Sequence, residues 1–505
     1  MSVRATAGHR PTEPARPSII LLGFLLAATA IVLGNTITGT GLTIVGAALA
    51  VAVIIMQRPD AATVLVLFAI YSNAAVVAVH FHNVPAVLAV VLPVALIAPL
   101  ASQVLGGRQP IILTPTLPWM LAFLMAQILA TAASANVDEA VAELPNVLVE
   151  GVGLFVLIVN VVRTPGMLRA ACWAILGAGA ILGTLSAYQE LTGTYGNSYF
   201  GFAQVKDAAG GFFTGEETLT GRARQPELAG PIGDQNFYAQ IMLMLIPVGM
   251  ARTMAERRPW SIIAFALTAL VAVGTVLTFS RGAALAALAL VVIMVAIRFV
   301  RVRHLLVAFM VLAVMAVAVP EYVARVATLD VLTAFVSGDQ VINEADVSLQ
   351  SRATENLAAG LVFLDHPLFG VGPGQFPSYY QEYANRVGLE VQLADRQAHT
   401  LYLGIAAELG ILGLVSFLGI LAVTILGLYR VSRAVRRIDP GLAVTLIGLG
   451  LSLGAFMLTG LFLHLAYARY AWLVIALAAA GTAVARQIVR EHGRGAPPRE
   501  PSSAR

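Results

Sequence analysis

Apolar runs of near-membrane-spanning length recur along almost the whole chain, at about 18–34, 38–56, 61–80, 84–101, 116–134, 147–163, 168–188, 234–252, 260–279, 283–300, 304–320, 399–429, 440–463 and 467–485. In hydrocarbon every backbone N–H and C=O must be satisfied internally, so runs of this kind are helices. The fold class that follows is all-α, a polytopic membrane helix bundle. Several runs fall short of the roughly 20 residues a span needs, and the first pair reads as two spans or as a re-entrant hairpin, which sets the number at about 12–14 spans. Composition agrees: 11% of residues are charged, where a soluble domain carries about 25%.

Arginine placement orients the bundle, because cytoplasmic loops collect basic residues. With a cytoplasmic N-terminus the inner loops hold Arg58, Arg108, Arg163, Arg169, Arg252, Arg257, Arg258, Arg298, Arg301, Arg303 and the cluster from Arg430 to Arg437, while most acidic residues fall outside. The expectation is a multi-pass protein of the cytoplasmic membrane with both termini cytoplasmic. Residues 1–17 form a cytoplasmic tail and 18–188 an N-terminal transmembrane bundle. An extracytoplasmic loop follows at 189–233, then transmembrane helices at 234–320. Residues 321–398 make a large extracytoplasmic helical loop before the last three spans, 399–485 hold those spans, and 486–505 form a basic cytoplasmic tail. Further spans follow the first run at once, so it reads as an anchor rather than a cleaved signal. The tail suits anionic inner-leaflet lipid, and with no folded domain beside it no nucleic acid is expected as a partner. The single cysteine, Cys172, lies in an apolar run and reads as a small core residue.

The outer side is acidic overall, so its few cations stand out. Arg281 lies in "TFSRGAA", 278–284, between two spans. A lone interfacial arginine more often snorkels along apolar surface, but Gly282 and Ala283 leave this one uncovered and let a ligand approach. Arg222 and Arg224 stand together in "LTGRARQPELAGPIGDQNFYAQIM", 219–242. Asp234 then reads as a helix N-cap, followed by an unusually polar helix end of Gln235, Asn236, Tyr238 and Gln240. "QAHTLYLGIAAELGILGLVSFLGILAVTILGLY", 397–429, reads as one helix opening on His399, and residues 399–429 would run roughly 46 Å. At 100° per residue His399, Tyr402, Ala406 and Gly410 share a stripe. This is a groove in which a lipid-linked substrate could lie, and Asn236 and Arg352 are its other expected contributors. Glu408 falls on the opposite face and reads as a packing residue paired with a neighbouring helix.

Residues 349–364 place Leu349, Ala353, Leu357 and Leu361 at helical spacing, an amphipathic helix suited to the outer leaflet. In "HPLFGVGPGQFPSYY", 366–380, no strand precedes the glycines and a proline interrupts them, so they read as turn chemistry rather than a dinucleotide fingerprint. The aromatics Phe369, Phe376, Tyr379 and Tyr380 could stack on sugar rings or anchor at the interface, with anchoring slightly favoured. The sequence has no DxD pair or P-loop, and "HFH" at 80–82 lacks nearby carboxylate or cysteine partners. No metal and no cofactor are therefore expected.

Taken in order, these stretches resemble the O-antigen ligase and polymerase superfamily of bacterial envelope enzymes. "SRGA" after a span is similar to that family's arginine motif, and "HPLFGVGPGQF" followed by "AHTLYLGIAAELGILGL" to its large outer loop and the next helix. "RARQPELAGPIGDQN" resembles its upstream arginine and "DPN" element, with Gln235 in place of the proline; Thr400 stands where asparagine or serine more often follows the histidine. The resemblance covers roughly residues 205–430. It implies a GT-C-type glycosyltransferase that moves a glycan from a polyprenyl-diphosphate-linked donor to a glycan or glycolipid acceptor. Transfer would occur at the outer membrane face, with inversion and without metal. Arg281 would bind the diphosphate, Arg222 or Arg224 would supply a second contact, and His399 would act as general base or hold the leaving group. Guanidinium forks bind phosphate oxygens bidentately, and an imidazole can take a hydroxyl proton. Ligase and polymerase both remain open, and a lipid-linked-glycan flippase is the alternative, although such a transporter should carry ionisable groups at mid-bilayer.

Overall fold

In a computed structural model of the chain, the structure describes residues 59–85, 95–101, 103–104, 109–206, 226–302, 344–387, 396–465 and 468–495. The expected runs at 18–34, 38–56 and 304–320, the basic tail beyond residue 495, and Arg222 and Arg224 lie outside them. The described residues are helical almost throughout: α1 (Pro59–Tyr71), α2 (Ala74–His82), α3 (Leu117–Ala133), α4 (Val137–Pro145), α5 (Leu154–Val161), α6 (Pro165–Thr192), α7 (Gln235–Ala255), α8 (Trp260–Val276), α9 (Arg281–Ala296), α10 (Glu344–Asp365), α11 (Phe376–Val387), α12 (Leu401–Val435), α13 (Pro440–Thr459) and α14 (Arg469–Gly495). A short antiparallel pair, β1 (Gln204–Lys206) and β2 (Glu227–Gly230), is the one sheet among them.

Six described helices are long and apolar enough to cross a membrane, α4 and α5 counting as one through a wide turn at 146–153. Bent by 58° at Asn73, α1 and α2 make a seventh if taken together, and α3, α8 and α9 are shorter apolar helices. The all-α polytopic fold is thus the one expected. Trp472, Phe123 and Phe417 centre the core, their ring centroids 5.7–6.1 Å apart, where α14, α3 and α12 meet.

One expectation requires correction. Residues 399–429 are not one continuous helix. His399 precedes α12, whose N-cap is Thr400, with Thr400 Oγ1 accepting the Leu403 N–H at 3.1 Å. Within α12, Gly410 takes φ 63°, ψ −161°, which breaks the helix and frees backbone groups. The glycine-rich loop satisfies them: Val371 N–H donates to Ala407 O at 3.0 Å and Gly372 N–H to Glu408 O at 2.9 Å. Ile411 N–H in turn donates to Pro367 O at 2.8 Å. A Cβ on Gly410 would lie 2.4 Å from Leu368 backbone, so only glycine admits this approach. Glu408 belongs to the same joint, its carboxylate accepting the backbone N–H groups of Gly374 and Phe376 at the start of α11.

The face that α10 turns to the protein is a different one from the stripe through Leu349, Ala353, Leu357 and Leu361: Leu357 is 53% exposed, and the Leu349 side chain lies outside the described residues. Ser351, Thr354, Glu355, Ala358, Ala359 and Val362 are buried instead, against Phe376, Tyr380 and Tyr383 of α11 and Ala407 of α12. Small residues let α10 pack closely while large aromatics fill the gap from the other side. The helix thus turns Leu357 and Leu364 outward and a polar row inward.

Candidate active site

The turn into α9 sets the position of Arg281. Phe279 takes a left-handed φ of 52°, a strained conformation for a bulky residue that neighbouring contacts must maintain. Thr278 Oγ1 donates to Thr275 O at 2.7 Å, and Ser280 caps α9 by accepting the Ala283 N–H at 3.3 Å. Ser280 Oγ also donates to Asn236 Oδ1 at 2.7 Å, which ties Arg281, the first residue of α9, to the first turn of α7. Asp234 caps α7, as its place before the span indicated, accepting the N–H groups of Asn236 at 2.8 Å and Phe237 at 3.2 Å. Farther along α7, Gln240 Nε2 donates to Thr459 Oγ1 at 2.8 Å and so holds the end of α13 alongside.

From the opposite side α10 contributes Arg352 and Glu355. Burial and then the charge of Arg281 lower the basicity of the Arg352 guanidinium, while Glu355 and Asp234 raise it. Four charged groups from α7, α9 and α10 are therefore within electrostatic reach of one another. Asn236, Ser280 and Arg352 line one small cleft of about 10 Å³, together with Thr459 and Phe462.

Glu355 is 1% exposed, and its carboxylate meets Nδ1 of His399. Ser351 Oγ donates to Glu355 Oε1 at 3.2 Å, and Arg396 Nε lies 4.0 Å from the same oxygen. His399 itself remains 28% exposed, so one ring nitrogen faces a buried carboxylate while part of the ring stays open. Leu401 N–H donates to Gly460 O at 2.8 Å, which fixes this end of α12 against the end of α13.

Among the expected site residues, Arg281, Asn236 and Arg352 come together, and His399 joins them through Glu355. The Tyr402 hydroxyl donates to Met457 O at 2.9 Å. Two residues of the cluster were not singled out from the sequence. Glu355 was passed over because α10 was read by its leucine spacing. The other, His464, sits in the loop after α13 with its ring edge-on to Phe237, centroids 5.0 Å apart. Burial, followed by the charge of His399, depresses its imidazole to about 4, against the opposing pull of Asp234 and Glu355. The only sequence signal for it was a polar group in a short outer connection. Among the described residues no group of three or more His, Cys, Asp or Glu side chains gathers as a metal site would require.

An all-α, multi-pass helix bundle with arginines, a carboxylate and an imidazole collected at one end defines the class of protein. Comparison points the same way over part of the chain: a family model described as O-antigen ligase matches residues 264–418. The chain is similar to that family over this segment, which holds Arg281, Arg352, Glu355, the glycine-rich loop, His399 and the broken part of α12. Asp234, Asn236 and His464 lie outside it. No curated protein matches the chain.

Proposed function

We propose that the chain transfers a glycan from a polyprenyl-diphosphate-linked donor to an acceptor hydroxyl, at the outer face of the cytoplasmic membrane and with inversion at the anomeric carbon. The observation that carries this reading is the juxtaposition of Arg281 and Arg352 beside a Glu355–His399 contact. Two guanidiniums within electrostatic reach of each other repel, and a diphosphate would relieve that repulsion while accepting their hydrogen bonds. Arg281 supplies the first diphosphate contact and Arg352 the second, with Arg222 or Arg224 of the preceding loop as a further one. These cations stabilise the departing diphosphate as charge develops on it, the task a divalent ion would otherwise perform.

Glu355 against Nδ1 favours the tautomer protonated there, which leaves Nε2 free to accept a proton. In the reaction Nε2 takes the proton of the acceptor hydroxyl, and the acceptor oxygen forms a bond to the anomeric carbon. The bond from that carbon to the diphosphate oxygen breaks on the opposite face, and its electron pair leaves with the diphosphate.

The test is transfer by purified protein in vesicles carrying a polyprenyl-diphosphate glycan and an acceptor glycolipid. His399→Ala should lower turnover by about 10²–10⁴-fold with donor binding nearly intact. Arg281→Lys should weaken donor binding and recover turnover only in part, because an ammonium loses the bidentate fork. Folded His399→Ala with unchanged turnover removes the catalytic assignment. Translocation of the donor without transfer would make the protein a flippase instead.

A further inference from the structure

A cavity of about 400 Å³ opens at the far end of the bundle, between the start of α3, the later part of α12 and the end of α14. It lies roughly 35 Å along α12 from Leu401, at 1.5 Å per residue, and so is remote from the His399 cluster. The volume is in the range of small-molecule sites, roughly 300–1,000 Å³. Its walls are partly apolar, with Val423 and Ala479 among them, but its polar groups are unusual in three respects.

First, two hydroxyls are buried without a hydrogen-bond partner: Thr114, 8% exposed, and Thr482, 7% exposed. A buried threonine in a helix ordinarily donates to the carbonyl one turn back, as Thr424 does to Ile420 O at 2.7 Å. Second, Arg486 stands one turn beyond Thr482 on α14. A Cβ at Gly427 would meet Thr482 Oγ1 at 3.8 Å and Arg486 Nη2 at 4.0 Å, so the missing side chain leaves room in front of both. Third, the Thr116 hydroxyl at the start of α3 is engaged with Thr424 Oγ1 at 3.1 Å and the Leu117 N–H with Thr114 O at 3.0 Å, so neither competes for this space. A guanidinium and two idle hydroxyls converge there. Glu491, the carboxylate at the rim, is held by Gln487 Nε2 at 2.9 Å.

We propose that this cavity binds the phosphate headgroup of a membrane phospholipid. A phosphate diester offers acceptor oxygens to the fork of Arg486 and to the Thr114 and Thr482 hydroxyls, and the apolar walls take the start of the acyl chains. Basic pockets between membrane helices suit anionic headgroups in this way. The proposal is independent of the transfer chemistry above.

The test uses the full chain in nanodiscs of phosphatidylcholine with a minor fraction of phosphatidylglycerol, read by native mass spectrometry. The wild-type protein should retain phosphatidylglycerol. Retention should fall about tenfold in Arg486→Gln with Thr482→Val, the loss expected when a charged hydrogen bond to the phosphate is removed. Gly427→Leu, which fills the space without changing any charge, should lose the lipid as well, and its melting temperature shows whether it has folded. Equal retention in wild type and both variants, or none in wild type, overturns the proposal. A parallel arm adds inorganic phosphate to lipid-free protein in detergent. Stabilisation by phosphate equal to that by phosphatidylglycerol, lost in the Arg486 variant, would mean a free-anion site and overturn the lipid assignment.

Discussion

Glu256 and Glu355 are two buried carboxylates at opposite ends of α7, and they are satisfied in opposite ways. Glu256, the C-cap of α7, accepts from Arg169 Nε at 2.6 Å and from Arg169 Nη2, from Arg252 Nη1 at 3.2 Å and from Trp173 Nε1 at 3.2 Å. Arg252, itself 3% exposed, reaches on to Thr445 of α13. Every neighbour there is a donor that keeps its proton, so the cluster joins α6, α7 and α13 and does no more. Glu355 instead faces an imidazole that is partly open to solvent. The two sites share a charge and a degree of burial and differ in whether the partner can exchange a proton. That difference separates a fastening from the site proposed for the reaction.

The comparison can be broken most sharply at Glu256. Replacing it by alanine leaves two arginines without their counter-charge, a loss of about 3–5 kcal/mol for a broken buried pair. The expected outcome is a large fall in melting temperature with turnover per folded molecule unchanged; a turnover defect in the folded fraction would erase the distinction. Next in size is a pH effect at the other end. His464 is held neutral down to about pH 4, whereas in the unfolded chain an imidazole takes up its proton near pH 6.5. The unfolded state therefore binds more protons between these values, so stability falls as pH drops from 6.5 to 4, by about 3 kcal/mol in all, and is flat in this contribution below 4. His464→Gln should remove that slope from melting curves, and an unchanged slope refutes it.

Glu355→Gln sharpens the comparison from the reactive side. The amide keeps the shape but not the charge against Nδ1, so kcat should fall roughly 10- to 100-fold while KM for the donor holds, because the interaction matters when the ring gains a proton. A change confined to protein yield would make Glu355 a second Glu256. The smallest effect is expected at Glu408, whose carboxylate takes two backbone N–H groups at the joint between the glycine-rich loop and α12. Glu408→Gln retains an acceptor oxygen and should cost about 1 kcal/mol of stability, measured by thermal melting, with turnover per folded molecule unaltered.

Much of this architecture could be read in the sequence, and what could not be read has a common cause. Asp234 announced itself as a cap because capping is local: a side chain bonds an N–H two or three residues away. Arg281 stood out because a cation between small residues at a span boundary needs no tertiary knowledge to notice. His399 was found through its motif, but its helical phase was mistaken, since nothing local shows that Thr400 is the cap. The break at Gly410 was equally hidden. A glycine in a helix is commonplace, and this one departs from helical geometry because a loop lying some forty residues earlier supplies the replacement hydrogen bonds.

The sequence alone determined the all-α membrane class and a family resemblance that a family model matches over residues 264–418. The class could be read because burial of backbone polar groups in hydrocarbon acts on each segment separately. Only the tertiary structure decided that α10 buries its polar row rather than Leu357 and Leu364, that Glu355 faces His399, and that His464 closes the cluster from a loop after α13. Those are pairings between segments far apart in the chain, and they depend on which faces the packed helices present to one another.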